Sequence, residues 1–326
     1  MSDPLVVAVV GPTAAGKSDL AVALSKRLGG EVVNVDAMQV YRGMDIGTAK
    51  IGTTERDGVP HHLLDILDVT ETATVAEFQE LARAAIDDCI SRAAVPVLAG
   101  GSALYVRAIL DDFVFPGTDP VVRARLEAEL ETDGSGALHG KLQQLDPKAA
   151  EQILPSNGRR IVRALEVIEI TGGPYVATLP EHRYVYPGAI QLGLDVPRPE
   201  LDERIDRRVD RMFDAGFVAE VRGLLDKGLI EGKTANRALG YSQVIALLNG
   251  EIDEAQARER TAQATRRFAR RQDSWFRKDQ RITWLRYDAP DLVEKAIEVI
   301  AEGNREGVGG VVEVEAGHSG AVDARG

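Results

Sequence analysis

Six consecutive apolar residues, Leu5-Val6-Val7-Ala8-Val9-Val10, run straight into Gly11-Pro12-Thr13-Ala14-Ala15-Gly16-Lys17-Ser18. The β-branched run reads as a strand buried on both faces. The octapeptide that follows matches the phosphate-cradling pattern G-x-x-x-x-G-K-[ST]. Residues 19–28 then place Leu20, Ala21, Leu24 and Leu28 at helical spacing. A strand, a glycine loop and a helix in this order aim backbone N–H groups at an anion, where the helix dipole already favours negative charge. In this pattern Lys17 reaches the outer phosphates, and the Ser18 hydroxyl faces a magnesium ion. The motif does not say whether the phosphate is transferred, hydrolysed or held.

The rest of the chain supplies further parallel-strand candidates. Residues 31–36 form a second strand that ends in the carboxylate of Asp36, and residues 95–101 form a third after a helical stretch at 74–94. Residues 189–196 and 281–287 are later strands. Alternation of this kind predicts an α/β fold, a P-loop NTPase-like parallel sheet flanked by helices. Ligands in such sheets sit beyond the carboxyl ends of the strands. The rule brings Gly11–Ser18, Asp36 and Gly100-Gly101-Ser102 to one crevice.

Between Pro116 and Pro187 the alternation stops. Asp119-Pro120 is a helix start, and the Gly172-Gly173-Pro174 string closes a later helix over 158–171. We expect an inserted all-helical subdomain at 116–187, a discontinuous core at 1–115 and 188–302, and a disordered tail at 303–326, where Gly, Val, Glu and Ala follow no period.

Composition excludes several classes. One cysteine, Cys89, excludes a disulfide framework and a cysteine-based zinc site, and fits a reducing cytoplasm. On its apolar helical face it reads as a buried spacer. No segment approaches the ~20 apolar residues of a membrane span, and the N-terminal run is too short for a signal sequence. His61-His62 reads as structural, because sequence neighbours rarely point at one ion.

The net charge of −12 argues against indiscriminate nucleic-acid binding. Any RNA contact then needs a local basic surface. From Arg258 to Arg286 there are ten basic residues against three acidic ones, with Trp275, Phe276 and Trp284 interleaved. Aromatic and guanidinium planes are what splayed RNA bases stack on. Arg159, Arg160 and Arg163 make a smaller group. A solvated surface explains a basic helix equally well when it stands alone.

Across residues 6–287 the chain resembles the bacterial tRNA dimethylallyltransferases, the tRNA isopentenyltransferase (IPP transferase) family. The resemblance is carried by Gly11–Ser18, Asp36-Ala-Met-Gln-Val-Tyr-Arg-Gly-Met-Asp-Ile-Gly-Thr-Ala-Lys50, Gly100-Gly-Ser-Ala-Leu-Tyr105, Arg159-Arg-Ile-Val-Arg163, Arg237-Ala-Leu-Gly-Tyr241 and Arg270-Arg-Gln-Asp-Ser-Trp-Phe-Arg277. It implies prenylation of N6 of the adenosine just 3′ of the anticodon, from dimethylallyl diphosphate with Mg2+, by a cytoplasmic and monomeric enzyme that does not engage membranes. The helical insertion would grip the anticodon arm. It also implies tRNA contacts from Asp36, Ala37, Met38, Gln39, Ser102, Arg123, Arg159, Arg160, Ile161, Val162, Arg163, Arg237, Tyr241, Arg270, Arg271, Gln272, Trp275 and Arg277. The departures are small: Ala37 stands where serine is common, and Ser18 and Ser102 stand where threonine is common.

The chemistry of alkylating an exocyclic amine agrees. A proton must leave N6 and a diphosphate must leave carbon. The base should be a carboxylate at the mouth of the phosphate crevice, within reach of a flipped-out adenine. Asp36 fits, although a capping or magnesium-positioning role also accounts for it, and Asp45 is the next carboxylate in the same block. Lys17 and the loop amides stabilise the leaving charge. Ser102 can bond near the adenine amine, Thr13 touches the diphosphate, and Arg204 and Arg208 could close over it. The competing readings are a small-molecule kinase, an enzyme prenylating free AMP, and a GTP-binding RNA switch. The switch lacks an Asn-Lys-x-Asp string.

Overall fold

A computed structural model describes residues 3–113, 115–175 and 183–309. In chain order the first elements are β1 (Val6–Val10), α1 (Lys17–Leu28), β2 (Gly30–Asn34), β3 (His61–His62), α2 (Val75–Ser91), β4 (Val95–Gly100) and α3 (Ala103–Leu110). Three helices follow: α4 (Pro120–Leu145), α5 (Pro147–Gln152) and α6 (Gly158–Thr171). The chain then returns to β5 (Ala189–Asp195), α7 (Arg198–Asp214), α8 (Phe217–Leu225), α9 (Tyr241–Leu248), α10 (Glu254–Phe276), β6 (Ile282–Arg286) and α11 (Leu292–Gly309).

The described strands form one all-parallel sheet in the order β3-β2-β4-β1-β5-β6. Every residue of β1 is buried, as a central strand covered on both faces requires. Val7 and Val9 join Val97, Leu192 and Leu194 under Leu20 and Leu24 of α1 and Ala296 and Ile300 of α11. Strand alternation turns Val6, Ala8 and Val10 to the other face. Leaving β1, the chain moves first to β2 and β4 on one side and later to β5 and β6 on the other. The reversal marks the crevice where such sheets bind ligands.

The described residues divide into two compact units. One is built from the stretches up to Ile109 and from Tyr186 onward, and the other is Leu110–Val185. The second unit is helical between its ends. Asp119 caps α4 by accepting the N–H groups of Val121 and Val122, and Gly134 (φ 81°) breaks α4 in its middle. Its core is Leu126, Leu138, Leu142, Ile153, Ile161 and Leu165. Burial of each such side chain stabilises the unit by roughly 1.5–3 kcal/mol.

The structure differs from expectation in three places. Strand β2 ends at Asn34, so Asp36 stands two residues past it. The pair His61-His62 forms a short edge strand beside β2, too short for any periodicity to announce. The expected disordered tail at 303–326 begins too early, because α11 continues to Gly309. Ala296 and Ile300 anchor that helix in the core, and interior glycines cost only about 1 kcal/mol each. The remainder of the tail, 310–326, lies outside the described residues.

Candidate functional site

Three loops meet at the carboxyl ends of β2, β4 and β1, which are neighbours in the sheet. From β1 comes the glycine loop, whose Gly16 takes a left-handed conformation (φ 100°) and starts α1. From β2 comes Asp36, and from β4 come Gly101 and Ser102. A cavity of about 410 Å³ is lined by all three, with Thr13, Lys17, Asp36, Gln39 and Ser102 on its polar side. Ile205, Val209, Met212, Leu239 and Phe268 give it an apolar wall. A second cavity of about 540 Å³ shares Lys17, Ser18 and Arg208 with it and adds Lys50, Arg204 and Arg211. The first is suited to an apolar group beside a planar base, the second to anionic oxygens.

Asp36 is held from both sides. Buried Asn34 accepts the Asp36 N–H through Oδ1 at 3.0 Å, and its amide nitrogen donates to the Asp36 carbonyl at 3.1 Å. One carboxylate oxygen, Oδ1, accepts the Met38 N–H at 2.9 Å. The carboxylate therefore enters the cavity in a fixed orientation. Lys17 donates to the Pro12 carbonyl at 2.7 Å. Loss of water around its ammonium, with a further push from Arg208, lowers its pKa to about 8, while Asp36 acts in the opposite sense. Burial also depresses the Arg208 guanidinium from its ordinary value, against the pull of Asp36. Arg204 Nε donates to the Ala14 carbonyl at 2.8 Å, which seats α7 against the loop.

Gln272 of α10 ties two of the loops together. Its Oε1 accepts the Thr13 N–H at 2.9 Å, and its Nε2 donates to the Gly101 carbonyl at 2.6 Å. A β-carbon on Gly101 would overlap that Nε2, so only glycine allows this approach. Ser102 and Arg237 line the same cavity.

The basic, aromatic stretch separates into two classes of residue. Arg258 pairs with Asp210, Asp214 and Glu254, and Arg266 with Asp206 and Glu259. Arg277 pairs with Asp195 and Asp273 and lies 3.7 Å over the Trp284 ring. In contrast, Arg267, Arg271 and Trp275 are exposed four residues apart on one face of α10, and Lys278 is exposed just past the end of that helix. Trp275 is 46% exposed, with the Lys278 ammonium 5.6 Å from its ring centroid. Arg270 is exposed beside them, 3.8 Å from Asp202.

Membership of a recognised motif does not always mean contact with a ligand. Tyr241 is 0% exposed and donates to Glu220 at 2.7 Å. It supports the site from within and offers no surface to RNA. Ile161 and Val162 belong to the core of the helical unit. In that unit the carboxylate of Glu166 is fully buried and held by Arg123 and Arg163. Arg163 also donates to the carbonyls of Pro116 at 2.6 Å and Gly117 at 3.1 Å. Arg159 and Arg160 are exposed. Asn34, Glu220 and the bridging geometry of Gln272 are invisible to motif and spacing. A polar amide two residues before Asp36, and the place of Gln272 inside the recognised 270–277 string, are the signals the sequence offers.

Among the described residues one group has metal-ligand character, namely Glu31, His62 and Cys89. Arg92 occupies both Glu31 oxygens, at 2.6 and 2.9 Å, and holds that carboxyl down at about 2. Burial pushes the Cys89 thiol up to about 11. The group is an ion-pair network at the sheet edge, consistent with Cys89 as a buried spacer. No helix among the described residues is long and apolar enough to cross a membrane.

Comparison with known proteins places this geometry. The IPP transferase family model matches residues 39–279. The tRNA dimethylallyltransferase of Thermobifida fusca is 63% identical over 302 residues, covering 91% of this chain and 94% of the relative. That of Streptomyces avermitilis is 64% identical over 291 residues, covering 89% and 93%. Among solved structures, the tRNA isopentenylpyrophosphate transferase of Bacillus halodurans is similar at 40% identity, with a TM-score of 0.70 over 94% of this chain and 98% of that one. A eukaryotic dimethylallyltransferase acting on tRNA is similar at 25% identity, with a TM-score of 0.80 over 90% of this chain and 78% of that one.

Proposed function

The chain belongs to the IPP transferase family, and we propose that it transfers the dimethylallyl group of dimethylallyl diphosphate to N6 of the adenosine 3′ of the anticodon (position 37) in tRNAs reading codons that start with U. The products are N6-(dimethylallyl)adenosine and diphosphate. The observation that carries this reading is the shared cavity. Asp36, Lys17 and Ser102 come from three adjacent strand ends and line it together with Ile205, Val209, Met212, Leu239 and Phe268.

The roles follow from position. The flipped-out adenine enters beside Asp36 and Ser102. Its N6 lone pair attacks the allylic carbon as the carbon–oxygen bond to diphosphate breaks, and the N6 proton passes to the Asp36 carboxylate. Ile205, Val209 and Met212 cover the five-carbon group and exclude water, which would otherwise hydrolyse an allylic cation. Lys17, the loop N–H groups and Arg208 stabilise the charge that collects on the departing diphosphate. Arg204 steadies the loop from α7.

Magnesium fits the donor set. Ser18 lines both cavities, and its hydroxyl, beside the diphosphate oxygens, is the kind of hard oxygen that this ion takes. When bound, the ion would neutralise diphosphate charge. For the tRNA, the exposed Arg267, Arg271, Trp275 and Lys278 offer charge with an aromatic ring, and Arg159 and Arg160 offer phosphate contacts.

The test is mass analysis of nucleosides from tRNA incubated with the protein and dimethylallyl diphosphate, run beside free AMP as acceptor. A C5H8 gain on adenosine of tRNA alone is expected. Gain on AMP alone, or none with folded protein, would overturn the reading.

A further inference from the structure

Glu220, in the first turn of α8, lies outside every motif that marks the site, yet its carboxylate accepts four hydrogen bonds. Three come from consecutive backbone N–H groups: Asp45 at 2.9 Å, Ile46 at 2.6 Å and Gly47 at 3.0 Å. The fourth comes from the Tyr241 hydroxyl at 2.7 Å. Three successive amides converging on one anion fix the backbone that carries them. Tyr241 cannot turn away, because its ring is fully buried edge-on against Phe217, with centroids 5.0 Å apart. A β-carbon on Gly47 would overlap both rings, so the loop lies flat on this pair only because residue 47 is glycine.

The next residue extends the chain of contacts to the cavity. The Thr48 hydroxyl donates to the Met44 carbonyl at 2.6 Å. The Thr48 carbonyl accepts from Gln39 Nε2 at 3.2 Å and from Arg208 Nη2 at 3.2 Å. Gln39 and Arg208 line the cavity beside Asp36 and Lys17. Asp45 and Ile46 line the second cavity, and Gly47 and Thr48 the first. The 45–48 backbone is thus a wall common to both.

We propose that Glu220, held by Tyr241, is a positioning residue for the transfer reaction: it fixes the 45–48 backbone so that the Thr48 carbonyl sets Gln39 and Arg208 against the substrates. The proposal rests on the function given above. Neither Glu220 nor Tyr241 touches a reacting atom. Their effect falls on the geometry of residues that do, and small misplacements at a reacting centre cost rate rather than binding.

The experiment measures single-turnover transfer with enzyme in excess, in parallel with tRNA affinity and melting temperature. Glu220→Gln keeps the size but turns an N–H2 toward backbone N–H groups. We expect it to lower the rate constant roughly 10- to 100-fold with tRNA affinity nearly unchanged. Tyr241→Phe keeps the ring packing and removes only the hydroxyl, and a loss of about three- to tenfold is expected. Because both act through one chain of contacts, the double variant should be no slower than Glu220→Gln alone. A merely structural role would lower the melting temperature and leave the saturating rate constant at the wild-type value. If Glu220→Gln fails to fold, Tyr241→Phe decides alone, and a wild-type rate constant there overturns the proposal, as would multiplicative losses in the double variant. Absence of transfer by the wild-type chain would instead overturn the function on which the proposal rests, and the proposal with it.

Discussion

The Gln272 side-chain oxygen accepts the backbone N–H of Thr13 at 2.9 Å across 259 residues of chain, so the phosphate loop and helix α10 hold a common position. The same amide donates to Gly101, and α10 also carries the exposed arginines and Trp275. One side chain therefore links the anion site, the acceptor side of the cavity and the helix whose outer face suits RNA.

Gln272→Ala leaves a loop N–H and a carbonyl without these partners. Each such group costs about 1–3 kcal/mol when it stays dry. We expect the variant to melt earlier and to bind donor more weakly. Gln272→Glu keeps the Thr13 contact but sets a carboxylate against the Gly101 carbonyl, and should be worse still at pH 7. Differential scanning calorimetry with donor titration checks both.

Lys17 gives a pH dependence with a definite sign. Its pKa in the folded chain is lowered from 10.5 to about 8. In the free enzyme the ammonium is therefore present below about 8 and lost as pH rises through that value. kcat/KM for the donor should fall on the alkaline side of 8, while kcat at saturating donor holds to higher pH, because the bound diphosphate favours the charged form. Folding stability moves the other way and rises between 8 and 10.5, since only the unfolded chain keeps the proton there. Lys17→Arg should remove the alkaline limb, and Lys17→Ala should cost roughly 2–4 kcal/mol of transition-state stabilisation. Initial rates at low and high donor across this range are the measurement.

The arginines of the helical unit divide by what holds them. Arg159→Ala with Arg160→Ala should weaken tRNA binding and lower the salt slope by about 0.7–0.9 for each phosphate that is no longer neutralised. Melting temperature should not move, because both are exposed. Arg163→Ala removes one of the two arginines that hold the buried Glu166 carboxylate and should destabilise the fold by ~1–3 kcal/mol, since Arg123 still pairs with it. A salt titration of tRNA binding with parallel melting curves separates the two. An unchanged slope would return Arg159 and Arg160 to the solvated surface.

Much of the site is legible in the sequence because its parts are local. The glycine loop announces itself by spacing, and the rule for parallel sheets carries Asp36 and Ser102 to the same crevice. What stays hidden is long-range or inward. Gln272 stands in a recognised string, but its bridge, like the anchor made by Glu220, acts across 171–259 and 173–175 residues respectively, and contacts of that span leave no periodic trace. Ile161 and Val162 stand in a recognised motif, yet their helical spacing with Leu165 already marks the buried face of α6. Tyr241 shows the same thing more sharply. A residue within a recognised string can serve the site from behind.

Asp36 is the assignment with most at stake. Asp36→Asn is nearly isosteric, and its side-chain oxygen can still accept the Met38 N–H that Oδ1 now takes. The loop should therefore keep its shape while the base is removed. If the carboxylate accepts the N6 proton, tRNA and donor bind almost normally and single-turnover transfer falls by ~10²–10⁴. If it positions magnesium, donor binding weakens and added magnesium restores part of the rate. Single-turnover rates across a magnesium series distinguish these outcomes. Asp45 is a poor substitute for the role, because its carboxylate is paired with Lys50 at 2.7 Å and is 59% exposed. A magnesium-independent loss at Asp36 with Asp45→Asn near wild type is the expected result, and rescue by magnesium would remove the base assignment from Asp36.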